Sequence, residues 1–247
     1  MKYNFHGKYA IVTGAARGIG RCIAARLMEA GCKVAVIDLL DAGDAGYDFF
    51  MQGDIADPKA LEHFTGEVIS RFGRVDFIVN NACYSNRGIH SACSWKDFNH
   101  VLMTGVSAPN YLALLMKEHF GEGASIVNIA SSRAFMSQAD TESYSAAKGG
   151  IVALTHALAM SLAGKVRVNS VAPGWIETDP EAVNSHEDHV QQPAGRIGMP
   201  DDIANAVLFL LSADSGFITG ENIMVDGGMS RNMIYHNDFG WVYRPEN

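Results

Sequence analysis

The fold is decided by Thr13-Gly14-Ala15-Ala16-Arg17-Gly18-Ile19-Gly20, a glycine-rich turn between a strand-like run and a helix-like run. The run before it, Tyr9–Val12, is apolar throughout, as in a parallel strand buried on both faces, and apolar residues recur at helical spacing in Arg21–Ala30. Glycines permit positive φ and close approach of the backbone to a ligand, and free N–H groups at a helix N-terminus attract phosphate oxygens. The stretch therefore predicts a site for the diphosphate of a dinucleotide. Its spacing differs from G-x-G-x-x-G, and a tight turn without a ligand is the alternative.

Length, composition and charge narrow the class of protein. The 247 residues contain no linker-like segment, and 48% of them are hydrophobic, which predicts one globular domain with a large core. A net charge of −8 without a cluster of Lys and Arg argues against nucleic acid or an anionic membrane as a partner. The N-terminus lacks an apolar signal core, and no apolar run reaches the roughly 20 residues of a membrane helix. We therefore expect a cytoplasmic protein that binds small molecules, with reduced cysteines and no metal site.

A carboxylate at the end of the second predicted strand bears on the choice of cofactor. Lys33–Ile37 is the predicted strand, and Asp38 follows it directly. A carboxylate there accepts hydrogen bonds from the adenosine ribose hydroxyls and repels a 2′-phosphate, which favours NAD over NADP. Arg17 in the glycine turn favours NADP instead, because an arginine can reach a 2′-phosphate. Facing Asp38, it can equally be exposed or ion-paired.

The next two strands bring polar residues to the same edge of the sheet. The segment 41–48 is too short for a crossover helix, so we expect a third strand over Tyr47–Gly53 without a helix before it. This strand leads to Asp54-Ile55, which can read the adenine edge, although Asp54 can also be a helix cap. Asp57-Pro58 predicts the start of a helix that runs to about Phe72. A strand over Val75–Val79 is followed by Asn80-Asn81-Ala82 at the same end of the sheet. The side chain of Asn80 either lines the cofactor site from below or hydrogen-bonds neighbouring strands to each other.

The residues with chemistry come after a long helical segment. A helix is predicted over Trp95–Phe120, bent at Pro109 and ended by Gly121-Glu122-Gly123. A central strand is predicted over Ser125–Ala130, and Ser131, which follows it directly, can orient a substrate oxygen. Further on, Tyr144 and Lys148 stand four residues apart on a predicted helix and so face the same way. An ammonium group beside a phenol stabilises the phenolate, which makes this tyrosine a usable general base or acid.

In this order the motifs resemble the short-chain dehydrogenase/reductase family, in its form of about 250 residues, over nearly the whole chain. The resemblance rests on Thr13–Gly20, Asp54, Asn80-Asn81-Ala82, Ser131, Tyr144-x-x-x-Lys148, Pro173-Gly174 and Asp226-Gly227-Gly228. It implies a single doubly wound, Rossmann-type α/β domain with a seven-stranded parallel sheet, and hydride transfer at nicotinamide C4. It also implies that Tyr144 is the general base or acid, that Lys148 holds the nicotinamide ribose, and that Ser131 rather than Ser132 is the catalytic serine.

The predicted site residues follow from the motifs and the resemblance together. The catalytic residues are Ser131, Tyr144 and Lys148. The cofactor-binding residues are Gly14, Arg17, Gly18, Ile19, Gly20, Asp38, Asp54, Ile55, Asn80, Ala82, Tyr144, Lys148, Pro173, Gly174, Ile176 and Thr178. By the resemblance, Ile176 and Thr178 contact the carboxamide side of the nicotinamide.

Two positions depart from the family pattern. Cys83 stands where the family usually has Gly after Asn-Asn-Ala. An ungapped alignment places Gly105 where the family usually has an Asn whose main-chain carbonyl holds a water of the proton relay. We expect glycine to preserve the helix kink and this carbonyl, so that Gly105→Asn changes turnover by less than tenfold, about 1.4 kcal/mol of barrier. The alternative is a relay that is broken or rerouted through Thr104 or Ser107.

The last third of the chain holds the predicted lid and tail. A sixth strand, Val166–Val171, leads through Pro173-Gly174 to a polar lid over 177–196. His186 and His189 in this lid could suggest a metal site, but we expect a mobile, solvated loop, because a lid gives metal ligands no fixed scaffold. A helix from Met199-Pro200 to Leu211 and a last strand over Glu221–Val225 follow. The tail 229–247 is aromatic, with Tyr235, Phe239, Trp241 and Tyr243. We expect it to pack against a neighbouring subunit of a homodimer or homotetramer, or to rim a pocket.

We therefore expect an NAD-dependent oxidoreductase that interconverts a secondary alcohol and a ketone. One alternative is an NADPH-favouring carbonyl or 3-oxoacyl reductase, which Arg17 allows and Asp38 opposes. Another is a catalytically weak NAD-binding sensor, which Gly105 and the aromatic tail suggest. The substrate is not identified by the sequence; candidate pocket residues are Tyr84, Arg133, Met136, Gln138 and Trp175.

Overall fold

A computed structural model of the chain describes residues 3–242 and residue 244. In this part of the chain seven parallel strands form one sheet in the order β3-β2-β1-β4-β5-β6-β7. The strands are β1 Tyr9–Thr13, β2 Lys33–Asp38, β3 Phe49–Gln52, β4 Val75–Asn80, β5 Phe120–Ile129, β6 Val166–Pro173 and β7 Asn222–Val225. The helices are α1 Gly18–Glu29, α2 Pro58–Phe72, α3 Trp95–Leu102, α4 Ala108–Met116, α5 Glu142–Ser161, α6 His186–Val190 and α7 Pro200–Leu211. The predicted parallel sheet of seven strands is confirmed.

Two hydrophobic clusters hold helices on both faces of the sheet. Val12 of β1 and Leu27 of α1 belong to one cluster, which also includes residues of α7. Ile11 of β1 belongs to the other cluster, with Phe64 of α2 and Leu112 of α4. Successive strand residues point to opposite faces and both faces are covered, which explains why the central strands are continuously apolar.

The order of the strands creates a crevice between β1 and β4, at the carboxyl ends of the strands. From β1 the chain moves outward through β2 and β3, and it then returns to place β4 on the other side of β1. Thr13 at the end of β1 is in register with Asn80 at the end of β4. Ligands of open α/β sheets bind at such a switch point, outside the carboxyl ends of the strands.

The connection between β2 and β3 contains no helix, as the length of segment 41–48 predicted. Side chains hold it in place instead. The Tyr47 hydroxyl donates to the carbonyl oxygen of Ala15 in the glycine turn at 2.7 Å. The Asp48 carboxylate accepts from the amide of Val34 at 2.9 Å. This short connection therefore supports the glycine turn directly.

The long helix predicted over 95–120 is wrong at its C-terminal end. It stops at Met116, and Phe120 already belongs to β5, so Gly121-Glu122-Gly123 lie in a strand. The strand passes very close to its neighbour, because a Cβ on Gly121 would lie 2.6 Å from the Asp76 carboxylate. The register between β4 and β5 also shifts here. Close approach of two strands, rather than the end of a helix, therefore explains Gly121, whereas Gly123 has a positive φ of +69°.

The same segment is interrupted before the proline that was expected to bend it. A π-helical turn over Met103–Ser107 separates α3 from α4, and Pro109 lies in the first turn of α4. Proline has no N–H to donate to the carbonyl of Gly105 four residues earlier. The irregular turn lies where that bond is missing, and π turns of this kind occur often at functional sites.

The C-terminal segment ends in short turns with exposed aromatic side chains. Tyr235 is 66% exposed and Trp241 is 47% exposed. Tyr243 and the side chain of Phe239, which were expected to share this role, lie outside the described part of the structure. Among the described residues, none of the helices has the length and hydropathy needed to span a bilayer.

Candidate active site

The glycine turn is packed tightly against the end of β4. Gly14 and Gly18 have φ of +68° and +59°, which side chains rarely adopt. A Cβ on Gly14 would lie 2.8 Å from the Cα of Ala82, and one on Gly20 would lie 2.2 Å from the Gly14 carbonyl oxygen. Arg17, the N-cap of α1, makes no side-chain capping bond. The first N–H groups of α1 therefore lack a side-chain cap and are suited to an anionic ligand.

Asn81, rather than Asn80, links this turn to β4. Its side-chain amide donates to the carbonyl oxygens of Thr13 and Gly14 at 3.1 and 2.7 Å. The hydroxyl of Thr13 in turn accepts from the backbone amides of Asn81 and Ala82. These bonds fix the path of the chain beside the turn.

The side chain of Asn80 is turned away from the crevice. Its amide donates to the Asn128 carbonyl oxygen at 2.8 Å, and the Asn128 amide donates to the Thr155 hydroxyl at 2.9 Å. All three side chains are buried. The side chain of Asn80 therefore links neighbouring strands, as the alternative interpretation expected, and its assignment to the cofactor site stays a prediction. The sequence alone could not distinguish the two adjacent asparagines.

One cleft of about 510 Å³ runs along the carboxyl ends of the strands. Most of the predicted site residues line it: Gly14, Arg17, Ile19, Asp38, Asp54, Ile55, Ala82, Ser131, Tyr144, Lys148, Pro173, Gly174, Ile176 and Thr178. Gly18, Gly20 and Asn80 do not line it. The two glycines shape the turn instead, through the positive φ of Gly18 and the close contacts of Gly20.

Asp38 is joined to the glycine turn. One carboxylate oxygen accepts from the Ala16 amide at 2.7 Å, and the other accepts from the Leu40 amide at 2.9 Å. Arg17 is exposed, and in residues 3–242 no ion pair joins it to Asp38. Among the described residues, therefore, no cation is paired with this carboxylate at its end of the cleft.

Ser131, Tyr144 and Lys148 meet at the other end of the cleft. Lys148 is 4% exposed, and its ammonium group donates to the Ile129 carbonyl oxygen at 2.6 Å. The same group lies 5.4 Å from the centre of the Tyr144 ring. Ser131 is 7% exposed, and its hydroxyl oxygen accepts from the Arg133 amide at 3.1 Å. The end of β5 and the first turns of α5 thus bring a hydroxyl, a phenol and an ammonium group together.

Three side chains in contact with one another, Asp54, His100 and Tyr84, lie along the same cleft, and of these His100 was not predicted from the sequence. Asp54 accepts from the Ala56 amide at 2.9 Å, and its other oxygen is 2.9 Å from Nε2 of His100. Nδ1 of His100 contacts the hydroxyl of Tyr84. Burial, followed by the charges of Asp54 and Asp97, raises the pKa of Tyr84, so this phenol stays a donor. No local pattern could have indicated His100, because its partner is 46 residues away.

Gly105 and Cys83, the two departures from the family pattern, lie against each other. A Cβ on Gly105 would lie 3.1 Å from Sγ of Cys83 and 2.9 Å from Cβ of Ala147. Ala147 directly precedes Lys148 on α5. Glycine at position 105 therefore allows the π turn to approach α5, the helix that carries Tyr144 and Lys148.

A second cavity, of about 570 Å³, adjoins the first. It shares Ser131, Tyr144 and Gly174 with the cleft. Four of the candidate pocket residues, Arg133, Met136, Gln138 and Trp175, line it, whereas Tyr84 lines the first cleft.

The segment over 177–196 contains the short helix α6 and otherwise irregular backbone. Nδ1 of His189 accepts from the Ile197 amide at 3.3 Å. In the part of the chain that the structure describes, no three His, Cys, Asp or Glu side chains are grouped so as to hold a metal ion.

Comparison with known proteins bears on this site. A family model described as enoyl-(acyl carrier protein) reductase matches residues 14–230. The chain is 39% identical over 251 aligned residues to an uncharacterized oxidoreductase of Thermotoga maritima, covering 93% of this chain and 98% of that protein. It is 36% identical over 247 aligned residues to the 3-oxoacyl-(acyl-carrier-protein) reductase FabG of Escherichia coli, covering 92% and 98%.

Solved structures agree with these relatives. An apo SCOR enzyme from Clostridium thermocellum has a TM-score of 0.91 at 45% identity, covering 97% of this chain and 99% of that one. A blue fluorescent protein from a metagenomic library, solved in complex with NADPH, has a TM-score of 0.84 at 29% identity, covering 92% and 99%. Because the family model spans most of the chain and the relatives match it over nearly their whole length, the protein belongs to the short-chain dehydrogenase/reductase family, oxidoreductases that use a nicotinamide cofactor.

Proposed function

We propose that the protein is an NAD-dependent oxidoreductase that interconverts a secondary alcohol and a ketone. The observation that carries the proposal is that a single cleft joins Asp38 at one end to Ser131, Tyr144 and Lys148 at the other. The first end suits an adenosine ribose, and the second supplies the groups that a carbonyl or alcohol oxygen needs during hydride transfer.

The residues of the cleft fit a dinucleotide. Side chains at Gly14 and Gly20 would collide with Ala82 and with the turn itself, so the backbone of the turn stays open to a diphosphate. Asp38 would hold the adenosine ribose, and Asp54 with the amide of Ile55 would contact the adenine. Pro173, Gly174, Ile176 and Thr178 would contact the nicotinamide side. When bound, the cofactor supplies a carbon that accepts or gives up a hydride.

The proton is handled by this chain's own side chains. We assign Tyr144 as the group that takes the proton from the alcohol or returns it to the ketone. The ammonium group of Lys148 lies 5.4 Å from the centre of the phenol ring and would also hold the nicotinamide ribose. Ser131 would donate a hydrogen bond to the substrate oxygen, because its own oxygen already accepts from the Arg133 amide.

NAD is the proposed cofactor because of the charge of Asp38. Two like unit charges about 4 Å apart repel by about 1 kcal/mol in bulk water and by about 4 kcal/mol at the effective dielectric of a protein surface. A 2′-phosphate beside Asp38 would meet this repulsion. The competing candidate is an NADPH-favouring carbonyl or 3-oxoacyl reductase. Arg17 in the cleft, the name of the Escherichia coli relative and the NADPH-bound structural neighbour support it.

We further propose that the chain is one domain and that it acts in the cytoplasm as a homodimer or homotetramer. The continuous sheet supports the first statement. The exposed Tyr235 and Trp241 support the assembly, because aromatic side chains are enriched at subunit interfaces. The polar segment 177–196, which reaches the second cavity through Gln191 and Gln192, is proposed as the substrate lid.

The proposed function is tested with a panel of secondary alcohols and NAD, followed at the absorbance of the reduced nicotinamide, with a parallel series containing NADP. Turnover with NAD that exceeds turnover with NADP supports the proposal. Turnover with NADP alone supports the competing reductase. A protein that binds NAD but converts no alcohol in the panel would match the NAD-binding sensor instead.

A further inference from the structure

We propose that the substrate carries a negatively charged group, a carboxylate or a phosphate, and that Arg133 binds it. This inference rests on the proposed function, because Ser131 and Tyr144 identify the second cavity as the substrate side of the site. It adds a substrate class that neither the fold nor the family determines.

The second cavity is in the right place for a substrate. It shares Ser131, Tyr144 and Gly174 with the cleft proposed for the cofactor, so a molecule in it can reach the proposed proton donor. Its volume of about 570 Å³ is in the range that small-molecule sites occupy. A reacting carbon at one end and an anchoring group at the other can both be accommodated.

The charge of this cavity differs from that of the whole protein. The chain contains 27 Asp and Glu residues and has a net charge of −8. Yet among the described residues that line the cavity there is no Asp or Glu, and Arg133 is the single charged side chain. The others that line it are Ser85, Ser131, Ser132, Met136, Ser137, Gln138, Thr141, Tyr144, Gly174, Trp175, Gln191, Gln192 and Met229. Such a lining favours a polar anion over a cation or a purely apolar molecule.

Arg133 is positioned but not neutralised. One guanidinium nitrogen donates to the Thr141 hydroxyl at 3.2 Å, and another donates to the Gln138 side-chain oxygen. Both partners are uncharged, and in the part of the chain that the structure describes no carboxylate forms an ion pair with Arg133. A guanidinium has five N–H donors, so this one keeps several for a carboxylate or phosphate, which it can bind in a bidentate fork.

The same arginine is linked directly to the proposed catalytic serine. Its backbone amide donates to the hydroxyl oxygen of Ser131 at 3.1 Å, within the short turn over Ser132–Ala134. An anion held by the side chain is therefore placed relative to the hydroxyl that orients the reacting oxygen. This makes Arg133 a specificity-determining residue, distinct from the groups that handle the proton.

A buried acceptor in the lining also indicates a polar substrate. Gln192 is 3% exposed, and its side-chain oxygen has no hydrogen-bond donor. It borders this cavity and a smaller neighbouring one of about 200 Å³. A buried acceptor without a donor is costly, and a hydroxyl group on the substrate would supply one.

The test uses pairs of alcohols that differ only in charge. Hydroxycarboxylates with increasing separation between hydroxyl and carboxylate are each compared with their neutral methyl esters, and hydroxyalkyl phosphates form a second charged series. Neutral 3-hydroxyacyl thioesters form a third arm. With wild-type protein and NAD we expect kcat/KM to be at least about tenfold higher for a charged member than for its neutral partner. The series with the higher value distinguishes carboxylate from phosphate.

The variants locate the effect at Arg133. Arg133→Gln should lower the preference for the charged member by about tenfold or more, and Arg133→Lys, which keeps the charge but not the fork, should restore part of it. Lys117→Gln is the control for net charge. Lys117 is exposed and lies before β5, at the end of that strand opposite Ser131, and its substitution should leave the preference as in wild type.

Calorimetric titration of the same charged and neutral compounds into the protein with NAD gives a readout that does not need turnover. Charged compounds should bind, and Arg133→Gln should raise their dissociation constants about tenfold or more. The inference is overturned if neutral compounds bind and react as well as charged ones, or if Arg133→Gln leaves the preference unchanged. If no alcohol is oxidised but the charged compounds bind through Arg133, the proposed function fails and the inference stands.

Discussion

The ammonium group of Lys148 donates to the carbonyl oxygen of Ile129 at 2.6 Å. Ile129 is the last residue of β5, and Lys148 lies in the second turn of α5. This bond fixes the position of the helix along the strand. Because Ser131 follows Ile129 by two residues and Tyr144 precedes Lys148 by one helical turn, the bond holds the two ends of the proposed catalytic site together.

We predict that Tyr144→Phe retains NAD affinity and loses most turnover. The phenylalanine ring still fills the same space beside Lys148, but the hydroxyl that exchanges the proton is gone. A loss of roughly 10²–10⁴-fold in kcat is expected, as for other general acid–base groups. Steady-state kinetics and calorimetric titration with NAD measure the two effects separately. Lys148→Ala should instead lower both NAD affinity and turnover. A Tyr144→Phe variant with normal turnover would show that Tyr144 is not the group that exchanges the proton.

Asp38→Asn should narrow the preference for NAD over NADP by about tenfold or more. Asparagine keeps an acceptor for one of the two amides, Ala16 or Leu40, that the carboxylate binds, while the negative charge that repels a 2′-phosphate disappears. Dissociation constants for both dinucleotides are the measurement. Arg17→Ala in the Asp38→Asn background is the matched control, because it should remove the NADP affinity gained. Tighter NADP binding by the wild-type protein would exclude the NAD assignment.

The structure changes the expectation for Gly105. The sequence predicts that Gly105→Asn changes turnover by less than tenfold, but a Cβ at position 105 would lie 2.9 Å from Cβ of Ala147. Even Gly105→Ala must displace the π turn or α5, so both substitutions should lower stability and change turnover by more than tenfold.

Gly149 supplies the matched control on α5. A Cβ at this position meets no atom within 4 Å, so Gly149→Ala should raise stability by up to about 1 kcal/mol through helix propensity. Denaturant unfolding of the Gly105→Ala and Gly149→Ala variants compares the two sites. Equal effects of the two alanines on stability would contradict the packing role of Gly105.

Two thiols should make stability depend on pH in the alkaline range. Burial, followed by the charge of Asp201, raises the pKa of Cys22 to about 11. Burial, followed by the charges of Asp76 and Asp48, raises the pKa of Cys32. Between the unfolded thiol pKa of about 8.5 and these higher values, the folded protein holds more protons than the unfolded chain. The free energy of unfolding should therefore be unaffected by these thiols below about pH 8 and fall as pH rises toward 11.

The slope of the free energy of unfolding against pH should reach about 1.4 kcal/mol per pH unit for Cys32, which is buried, and less for the more exposed Cys22. Denaturant unfolding of wild type and of Cys32→Ala at a series of pH values measures it. Tyrosines that ionise near pH 10 affect both proteins equally, so the difference between the two slopes isolates the thiol. Identical slopes would show that the thiol of Cys32 does not contribute.

Local patterns predicted what depends on neighbours in sequence. The glycine turn, the strand ending at Asp38 and the helix that presents Tyr144 and Lys148 each follow from a short run of residues, and the structure has all three. The missing helix between β2 and β3 followed from length alone.

Features that depend on distant partners were not predicted. Gly121 was interpreted as the end of a helix because its neighbour, Asp76, lies on another strand. The contact of His100 with Asp54 likewise joins separate elements, and the bond of Asn80 to Asn128 corresponds to one of two alternatives that the sequence left open. Such pairings are set by the register of strands and helices, which no single stretch of sequence carries.

The most direct test of the central claim follows the hydride itself. Secondary alcohols carrying deuterium at the carbinol carbon, including the hydroxycarboxylates above, are incubated with the protein and equal amounts of NAD and NADP, and both cofactors are analysed by mass spectrometry. We predict that wild-type protein produces NADH with one added deuterium and that Tyr144→Phe produces it at least about 10²-fold more slowly. Absence of deuterium from the cofactor with every alcohol tested, or its appearance in NADP in preference to NAD, would contradict the proposed NAD-dependent function.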